Sequence, residues 1–386
     1  MMKKTVFLLI ALTAVLQYSY AQNISKWEFK GHIKSLQNLY VPYPDTSYWF
    51  SDNTLDNRLQ LTYYPTNWLK FDVQARNRFI YGDFVKMIPN YAEQIDTDNS
   101  FFDLSFLWSN GNSYILHTII DRLNATVNYG NWQIVAGRQR INWGIDLVWN
   151  PNDIFNTFSY FDLEYPERPG TDALSVKYFS GITSFAEAVY QPAKTWDSTS
   201  LGIVYRFNIY EADVQFIAGK MRSLLTAGFG FAKSVGGAAI RSEVSYFKSY
   251  INKNTPEGIV GTLSSDYSFG DNWYVQAGIL YNSFGKKNNQ GNLNLFDTQV
   301  QSPMTLSRGK FNVMAGITGQ FGPLVTPGLS AIANPTDGSI ALIPTISVSA
   351  TNNINFSLNA IVLTGKANDE YANFGQFIYL KGEWNF

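Results

Sequence analysis

The chain has 386 residues, no cysteine and a formal net charge of −1. This charge balance argues against nucleic-acid binding, and against attraction to an anionic membrane surface, through bulk charge. The aromatic fraction of 16% is high for a soluble globule, whereas a membrane barrel displays such rings in girdles at its two lipid interfaces. A mean hydropathy of −0.14 argues against a bundle of membrane helices.

The N-terminus has the features of a secretory signal peptide. A basic start precedes an apolar run over 6–16 and a plausible cleavage site at 19–21, which predicts that residues 1–21 are removed. The apolar run is shorter than the roughly 20 residues that a membrane helix needs. We therefore expect one exported domain, 22–386, which its core or a bilayer must stabilise because it has no disulfides.

Segments with a two-residue period make up most of the mature chain. Over 69–79 the even-numbered residues are polar or charged, whereas over 353–363 the even-numbered residues are apolar. Such alternation indicates a sheet with one wet and one dry face. The segments run about 9–13 residues, which is the length that a tilted strand needs to cross a bilayer.

Short connections alternate with long ones, as in outer-membrane barrels. The long connections are 83–100, 141–171, 250–257, 283–307 and 364–373. We therefore predict an all-β fold: a transmembrane, antiparallel, up-and-down β-barrel of about eighteen strands, with sixteen as the alternative, and both termini in the periplasm. The predicted strands are 26–40, 52–64, 68–82, 114–129, 131–140, 172–180, 182–191, 199–208, 210–220, 224–233, 237–249, 258–268, 272–282, 309–320, 324–333, 339–350, 353–363 and 374–386.

Basic residues collect on the predicted inner faces of the first five strands. Alternation directs most of them to the lumen, but Arg138 and Arg140 share the parity of apolar Trp132 and Ile134, so their inward assignment rests on the cost of charge in lipid. The predicted basic wall consists of Arg58, Lys70, Arg76, Arg78, Arg122, Arg138 and Arg140. Such a wall favours anionic or zwitterionic solutes; alternatively, the arginines pair with acids and brace the barrel.

Two places in this part of the chain do not follow the pattern. The stretch 101–109 is either part of a loop or an additional strand. Asp121 shares the parity of lipid-directed Leu123 and Ala125, so either a β-bulge shifts the register there or the carboxylate lies near the rim.

The segment 141–171 resembles neither a strand nor a helix. A structureless loop of this length in a compact domain is usually functional or disordered, and its aromatic content argues against disorder. We expect it to fold into the barrel mouth and to narrow it, with its carboxylates facing the basic wall. These carboxylates are Asp146, Asp153, Asp162, Glu164 and Glu167.

The last predicted strand ends on an aromatic residue. Ile378, Leu380, Trp384 and Phe386 alternate with polar residues up to the final position. This arrangement resembles the signal that the outer-membrane insertion machinery reads, so we expect that machinery and outer-membrane lipid to be partners of the chain.

Enzyme motifs are sparse. The two histidines, His32 and His117, do not lie beside a nucleophile motif, and their spacing is not that of a zinc site. The stretch 96–103 offers oxygen ligands for calcium but lacks the glycine and terminal glutamate of an EF-hand loop, so a solvated acidic loop is the preferred interpretation. We expect no cofactor and no metal, although a barrel-embedded hydrolase with scattered residues stays a third alternative.

The stretch 137–144, GRQRINWG, followed by Asn150-Pro151-Asn152-Asp153, resembles porin-like outer-membrane barrels in which such a segment leads into an infolded loop. Gly137-Arg138-Gln139 is similar to alginate-export porins, a family with an arginine-lined barrel of about eighteen strands. The resemblance implies a passive channel for anionic solutes with Arg138 and Arg140 as lining residues. Trp143, Gly144 and the NPND run have no counterpart in alginate export, so that substrate is not carried over.

The sequence therefore predicts a porin of the Gram-negative outer membrane, which passes small polar solutes through a constriction formed by 141–171. The rival prediction is a closed barrel that serves as a structural or partner-binding component of an outer-membrane complex.

Overall fold

The computed structural model describes residues 26–157, 160–161, 170–252, 257–270, 272–286, 302–372 and 375–386. The predicted signal peptide lies outside these residues. The described residues form nineteen strands: β1 Trp27–Pro42, β2 Phe50–Thr66, β3 Leu69–Gly82, β4 Ser105–Gly111, β5 Tyr114–Tyr129, β6 Trp132–Gln139, β7 Thr171–Phe179, β8 Phe185–Gln191, β9 Ser200–Ile209, β10 Ala212–Met221, β11 Leu224–Val235, β12 Ala238–Ser249, β13 Gly258–Phe269, β14 Trp273–Asn282, β15 Phe311–Gly319, β16 Val325–Asn334, β17 Ser339–Ser349, β18 Ile354–Thr364 and β19 Gly375–Asn385.

Eighteen of these strands form a closed antiparallel barrel. Each strand pairs with its neighbours in the chain, and β19 pairs with β1 from His32 opposite Asn385 to Pro42 opposite Gly375. The exception is β4, because β3 pairs directly with β5 along its whole length. The predicted eighteen-strand up-and-down barrel is therefore confirmed.

The stretch 101–109, which the sequence left open, contributes a partial strand. β4 begins at Ser105 and pairs with residues 114–119 of β5, whereas β6 pairs with residues 123–129 on the same edge of β5. β4 thus continues the wall beyond the end of β6 without adding a full-length strand.

The two ends of the barrel differ. β1 begins and β19 ends at the same end, here called the terminal end, where two-residue connections such as 67–68, 130–131 and 210–211 join the strands. The opposite end, here called the loop end, carries the long connections, together with three short ones at 112–113, 222–223 and 335–338.

Alternation along each strand separates an apolar outside from a polar inside. On β18 the outward residues Phe356 and Leu358 are 48% and 45% exposed, while Ser357 and Asn359 point inward. Exposed rings cluster at the terminal end, as expected of a girdle at a lipid interface. They include Trp27, Trp68, Tyr129, Trp132, Tyr210, Trp273, Phe321 and Trp384.

The largest hydrophobic cluster lies inside the barrel. Residues of the segment 141–161 pack against apolar inward residues of the surrounding strands, because those inner positions would otherwise face water. The segment contributes Ile141, Trp143, Val148, Trp149 and Ile154, and the wall contributes Val189, Val204, Ile217, Phe247, Val260, Leu280, Met314, Ile332, Ile361 and Phe377.

A second, smaller cluster lies at the loop end. The connection after β3 forms two short helices, α1 Asp83–Met87 and α2 Tyr91–Ile95. Ala92 of α2 packs with Ile80 and Ile115 of the inner wall, so this connection covers the top of β3 and β5. No helix among the described residues is long and apolar enough to cross a membrane.

Candidate functional site

One quarter of the inner wall, on β1, β2, β3 and β5, carries a network of buried charges. Asp56 on β2 is fully buried and lies 2.5 Å from Nε of Arg76 and 3.6 Å from Nζ of Lys34. His32 on β1 lies 3.8 Å from the same carboxylate. A carboxylate this deeply buried is tolerated only where cations and hydrogen bonds compensate for lost hydration.

Arg58 belongs to the same network but binds a different acid. It lies directly opposite Arg76 in the β2–β3 register, and its Nη1 donates to Asp121 of β5 at 2.8 Å. Its Nη2 donates to Gln74 of β3 at 2.7 Å. The two facing arginines are tolerated because each binds a different carboxylate, Arg58 that of Asp121 and Arg76 that of Asp56.

A β-bulge brings Asp121 inside. The β3–β5 pairing runs from Gln74 opposite Arg122 to Ala75 opposite Ile120, so that Asp121 is the additional residue. Asp121 is 3% exposed. Of the two explanations that the sequence left open, the bulge is the one present; such bulges re-aim side chains.

Arg78 begins a chain of hydrogen bonds that bears on the hydrolase alternative. Its Nη2 lies 3.0 Å from Nδ1 of His117, whose Nε2 lies 2.6 Å from Oγ of Ser105. The Ser105 hydroxyl donates to Asp96 at 2.9 Å. Since a guanidinium only donates, Nδ1 must accept, and the proton of neutral His117 is therefore on Nε2, where it donates to Ser105. In this tautomer His117 cannot act as the base that activates Ser105.

The remaining predicted basic residues lie in different surroundings. Arg122 is half-buried, and its Nη1 donates to the backbone carbonyl of Asp121 at 2.7 Å. Lys70 lies opposite Thr126 near the terminal end and is also half-buried. Arg140 follows the end of β6 and is exposed. The structure therefore gathers Arg58, Lys70, Arg76, Arg78 and Arg122 on one wall, with Lys70 near its terminal end, and places Arg140 apart from them.

Arg138 does not face the lumen, in contrast to the sequence prediction. It is 2% exposed and fills the seam between the end of β6 and the start of β4. Its guanidinium donates to Asp172 at 2.9 and 3.0 Å and to Asp98 at 2.6 Å. It also donates to the backbone carbonyls of Phe102 at 2.5 Å and Ile120 at 3.2 Å. This side chain joins three segments of the wall.

The preceding glycine permits this arrangement. Gly137 has φ of +114°, and a Cβ there would lie 2.2 Å from the carbonyl oxygen of Leu123. Only glycine adopts this conformation so close to a neighbouring backbone. The Gly-Arg pair that the sequence singled out is therefore a structural unit of the wall.

Asp98 lies on the loop before β4 and, together with Asp172, binds the Arg138 guanidinium. Burial alone would raise its pKa, but the N–H groups of Leu104 and Ser100 and the Arg138 guanidinium outweigh burial and hold the pKa below its usual range. Asp98 is therefore a carboxylate that the folded state keeps ionised. Asp96 accepts the Ser105 hydroxyl instead. These two acids of the stretch 96–103, which was considered above as a calcium loop, therefore bind different partners.

The infolded segment is fixed to the opposite wall by Glu243 of β12. One carboxylate oxygen accepts the backbone N–H groups of Ile145 and Asp146, the latter at 2.8 Å, and the other accepts the N–H of Asn152 at 2.9 Å. Glu243 is fully buried. The Asn152 side chain adds bonds to the Phe229 carbonyl at 3.0 Å and to the Ser245 hydroxyl at 2.7 Å.

Trp143 anchors the start of the same segment. Its indole N–H donates to Glu187 of β8 at 3.1 Å, and its ring packs edge-on to Phe155 with 4.9 Å between centroids. A Cβ at Gly202 of β9 would lie 3.0 Å from this ring, so a small residue is needed there. Further along, the Tyr160 hydroxyl bonds Ser330 of β16 at 3.2 Å. The segment thus follows the inner wall from β8 to β16.

The predicted constriction acids are arranged differently from the expectation. Asp146 is 9% exposed, accepts the Thr262 hydroxyl of β13 at 2.8 Å and does not face the basic wall. Asp153 is fully buried. Asp162, Glu164 and Glu167 lie outside the described residues.

Sequence reasoning missed Glu243, Glu187 and Asp56, although all three have the inward parity of their strands. An acid at an inward position of a barrel strand is a signal that could have identified them. Their partners could not be identified, because these come from segments far away in the chain.

The last strand presents the predicted insertion residues outward. Ile378, Leu380 and Trp384 are exposed, whereas Phe386 packs beside Phe29 with ring centroids 5.8 Å apart. Its backbone exchanges two hydrogen bonds with Gly31, at 3.0 and 2.9 Å. The final residue therefore takes part in closing the barrel.

The closed eighteen-strand barrel with a long infolded segment has the fold of outer-membrane porins. No family model matches the chain, and no curated protein matches it. Among solved structures, OccAB4 of Acinetobacter baumannii is similar over 94% of this chain and 98% of its own, with a TM-score of 0.61 and 10% identity. OccD3 (OpdP) of Pseudomonas aeruginosa is similar over 92% and 91%, with a TM-score of 0.56 and 8% identity. OpdK of Pseudomonas aeruginosa is similar over 93% and 98%, with a TM-score of 0.56 and 8% identity. At these identities the likeness concerns the fold.

Proposed function

We propose that the protein is an outer-membrane porin, a passive diffusion channel for small polar solutes that are anionic or zwitterionic. The observation that carries this proposal is the contrast between an apolar outer surface and an inner wall lined by charged side chains. Lipid suits the first surface, and water with dissolved solutes suits the second.

The preference for anions is supported by the charges on the inner faces of β1, β2, β3 and β5. The basic side chains there are Lys30, Lys34, Arg58, Lys70, Arg76, Arg78 and Arg122, and the acidic ones are Glu28, Asp52, Asp56, Asp72 and Asp121. The basic group is larger, so the wall as a whole attracts negative charge.

Arg78 is the wall arginine whose charge is least compensated, so we expect it to attract anionic solutes from within the wall. Among the described residues no carboxylate pairs with its guanidinium, and its Nε has no hydrogen-bond partner there. Arg122 lies on the same wall, opposite Gln74 of β3, and its guanidinium donates to a backbone carbonyl. Two further arginines of the wall, Arg58 and Arg76, are bound to acids and brace the barrel, which combines the two interpretations that the sequence left open.

The passage is proposed to run between this basic wall and the infolded segment 141–171. The segment is fixed to the opposite wall by Glu243 and Trp143, so it narrows the lumen from one side. The acids Asp162, Glu164 and Glu167 stay proposed constriction residues.

The same proposal includes a location in the Gram-negative outer membrane with periplasmic termini, and assembly by the outer-membrane insertion machinery. It also includes the absence of enzymatic activity. The tautomer of His117 supports the last of these. Purified protein is expected to show no turnover of phospholipid or peptide substrates. Turnover that Ser105→Ala abolishes would refute the proposed absence of enzymatic activity.

Conductance of the purified barrel in planar bilayers tests the proposal. We expect single channels whose reversal potential in a KCl gradient indicates anion preference, and Arg78→Gln with Arg122→Gln should shift that potential toward cations. Lys248→Gln on the exposed outer rim is the control, because it removes one positive charge outside the lumen.

The second candidate function is a closed structural or partner-binding barrel. The dense apolar packing of Trp143, Trp149 and Phe247 inside the lumen favours it. A correctly folded barrel that passes no current would support this candidate and exclude the porin.

A further inference from the structure

A row of polar side chains crosses the outer surface of β2, β3 and β5, where lipid is expected. Asn57, Asn77 and Thr118 lie directly opposite one another in the strand registers. The Thr118 hydroxyl donates to Asn77 at 2.7 Å, and the Asn77 amide lies 3.4 Å from that of Asn57. The indole of Trp108 on β4 donates to Thr118 at 2.9 Å.

This row lies within apolar surroundings and not at a rim. Along β2 the outward neighbours of Asn57 are Leu55 and Leu59, and along β3 those of Asn77 are Ala75 and Phe79. Polar groups are rare at such positions, because hydrocarbon offers them no hydrogen bonds.

β1 extends the polar surface. Ser35 and Gln37 point outward and are exposed, and their side chains make no hydrogen bond with any described residue. Gln37 lies directly opposite Asn53 of β2. A primary amide in contact with lipid tails and without a partner is costly, so an external donor or acceptor is expected there.

The opposite side of the barrel has a different surface. On β13 and β14 the outward residues include Ile259, Leu263, Val275 and Ile279, and none of these carries an amide. The polar surface is therefore a local feature of β1, β2, β3 and β5.

The edge of β4 adjoins this surface. β4 pairs with β5 alone within the described residues, so its other edge has no strand partner among them. Phe106 and Trp108 on this strand are 43% and 67% exposed. Unprotected edge strands commonly pair with another chain.

We propose that the outer face of β1, β2, β3 and β5, together with β4, is the interface with a second copy of this chain. Amides and hydroxyls both donate and accept, so the row is complementary to itself, as an interface between identical copies requires. The outward positions of β1 to β3 named here carry no charge, so two copies meet without repulsion. Polar side chains between apolar rows hold membrane segments together by hydrogen bonds.

The absence of cysteine from the chain makes the test specific. Leu55→Cys lies in the proposed interface, and Leu263→Cys on the far side is a matched control, because both leucines are 48% exposed. Oxidation in isolated outer membranes should give a disulfide-linked dimer of Leu55→Cys and leave Leu263→Cys monomeric. Equal cross-linking of the two variants, or none, would overturn the proposal, as would linkage of Leu55→Cys to a different protein.

A second measurement addresses the polar row itself. The triple variant Asn57→Leu, Asn77→Leu, Thr118→Val should shift the detergent-solubilised protein from dimer or higher oligomer to monomer in native mass spectrometry. Its barrel should keep the heat-dependent gel mobility of the unaltered protein, since the substitutions suit lipid. An unaltered protein that is monomeric in lipid nanodiscs contradicts the proposal, whether or not it conducts.

Discussion

The Arg58 guanidinium lies 2.8 Å from the Asp121 carboxylate, and this pair joins β2 to β5 across the intervening strand β3. Both side chains are at most 5% exposed. Removing one partner of a buried pair leaves an uncompensated charge, whereas replacing both by apolar residues is often neutral. The pair therefore offers a test of whether the wall network braces the barrel.

Asp121→Leu is expected to lower the free energy of unfolding by about 3 kcal/mol, because Arg58 stays buried without its acid. Urea unfolding in lipid vesicles, followed by tryptophan fluorescence, measures the loss. The double variant Arg58→Leu with Asp121→Leu should recover most of it. If the effects of the two single substitutions add up in the double variant, the pair is not coupled.

The seam around Arg138 predicts an acid sensitivity of the loop before β4. The pKa of Asp98 is lowered in the folded protein, so its stabilising contribution is present above the unfolded pKa of about 3.9 and is lost as pH falls through the lowered value. Hydrogen exchange at Ser100 and Leu104, corrected for the intrinsic rate, should therefore accelerate in acid.

Asp98→Asn should show that faster exchange already at pH 7, because the amide accepts at one oxygen only. Asp103→Asn is the control, since Asp103 is exposed and bonds only the nearby Ser105 N–H. The same exchange rates in Asp98→Asn and Asp103→Asn would contradict the role of Asp98.

The strands themselves could be predicted from the sequence because alternation is a local property. The predicted strand 353–363 differs from β18 by one residue at each end, and the strand count is correct. Inward assignments on regular strands, such as those of Arg58 and Arg76, follow from the same alternation.

The seam and the bulge could not be predicted, because they depend on which segments meet. Arg138 has the outward parity of β6, and the approach of Asp98 from 40 positions away and of Asp172 from 34 turns it into a buried connector. Asp121 was recognised as an exception, but a bulge leaves no fixed mark in the sequence. Similarly, the partners of Glu243 are backbone N–H groups, which any residue supplies.

Glu243→Ala is expected to release the infolded segment from the wall. It removes the acceptor of three backbone N–H groups, and a buried donor left without a partner costs roughly 1–3 kcal/mol. Exchange at Ile145, Asp146 and Asn152 should rise by at least tenfold. Since a freed segment can enter the passage, single channels should flicker and show lower mean conductance.

Glu257→Gln is the matched control for this experiment, because its carboxylate bonds Lys248 and Tyr246 on the outside of the barrel. It should leave both exchange and conductance unchanged. If Glu243→Ala showed fast exchange but steady conductance, the infolded segment would not form the constriction of the channel.

The contact between Phe386 and Gly31 predicts a role for the last residue in barrel closure. Phe386→Ala keeps the backbone hydrogen bonds to Gly31 but removes the ring that covers it, and a ring of this size contributes roughly 2 kcal/mol when it is buried against apolar surface. We expect slower folding into lipid vesicles and less assembled protein in outer membranes. Phe269→Ala, which alters an exposed ring at the same end of the barrel on β13, should fold at the unaltered rate. Equal rates for the two variants would show that the terminal ring acts only as one more member of the aromatic girdle.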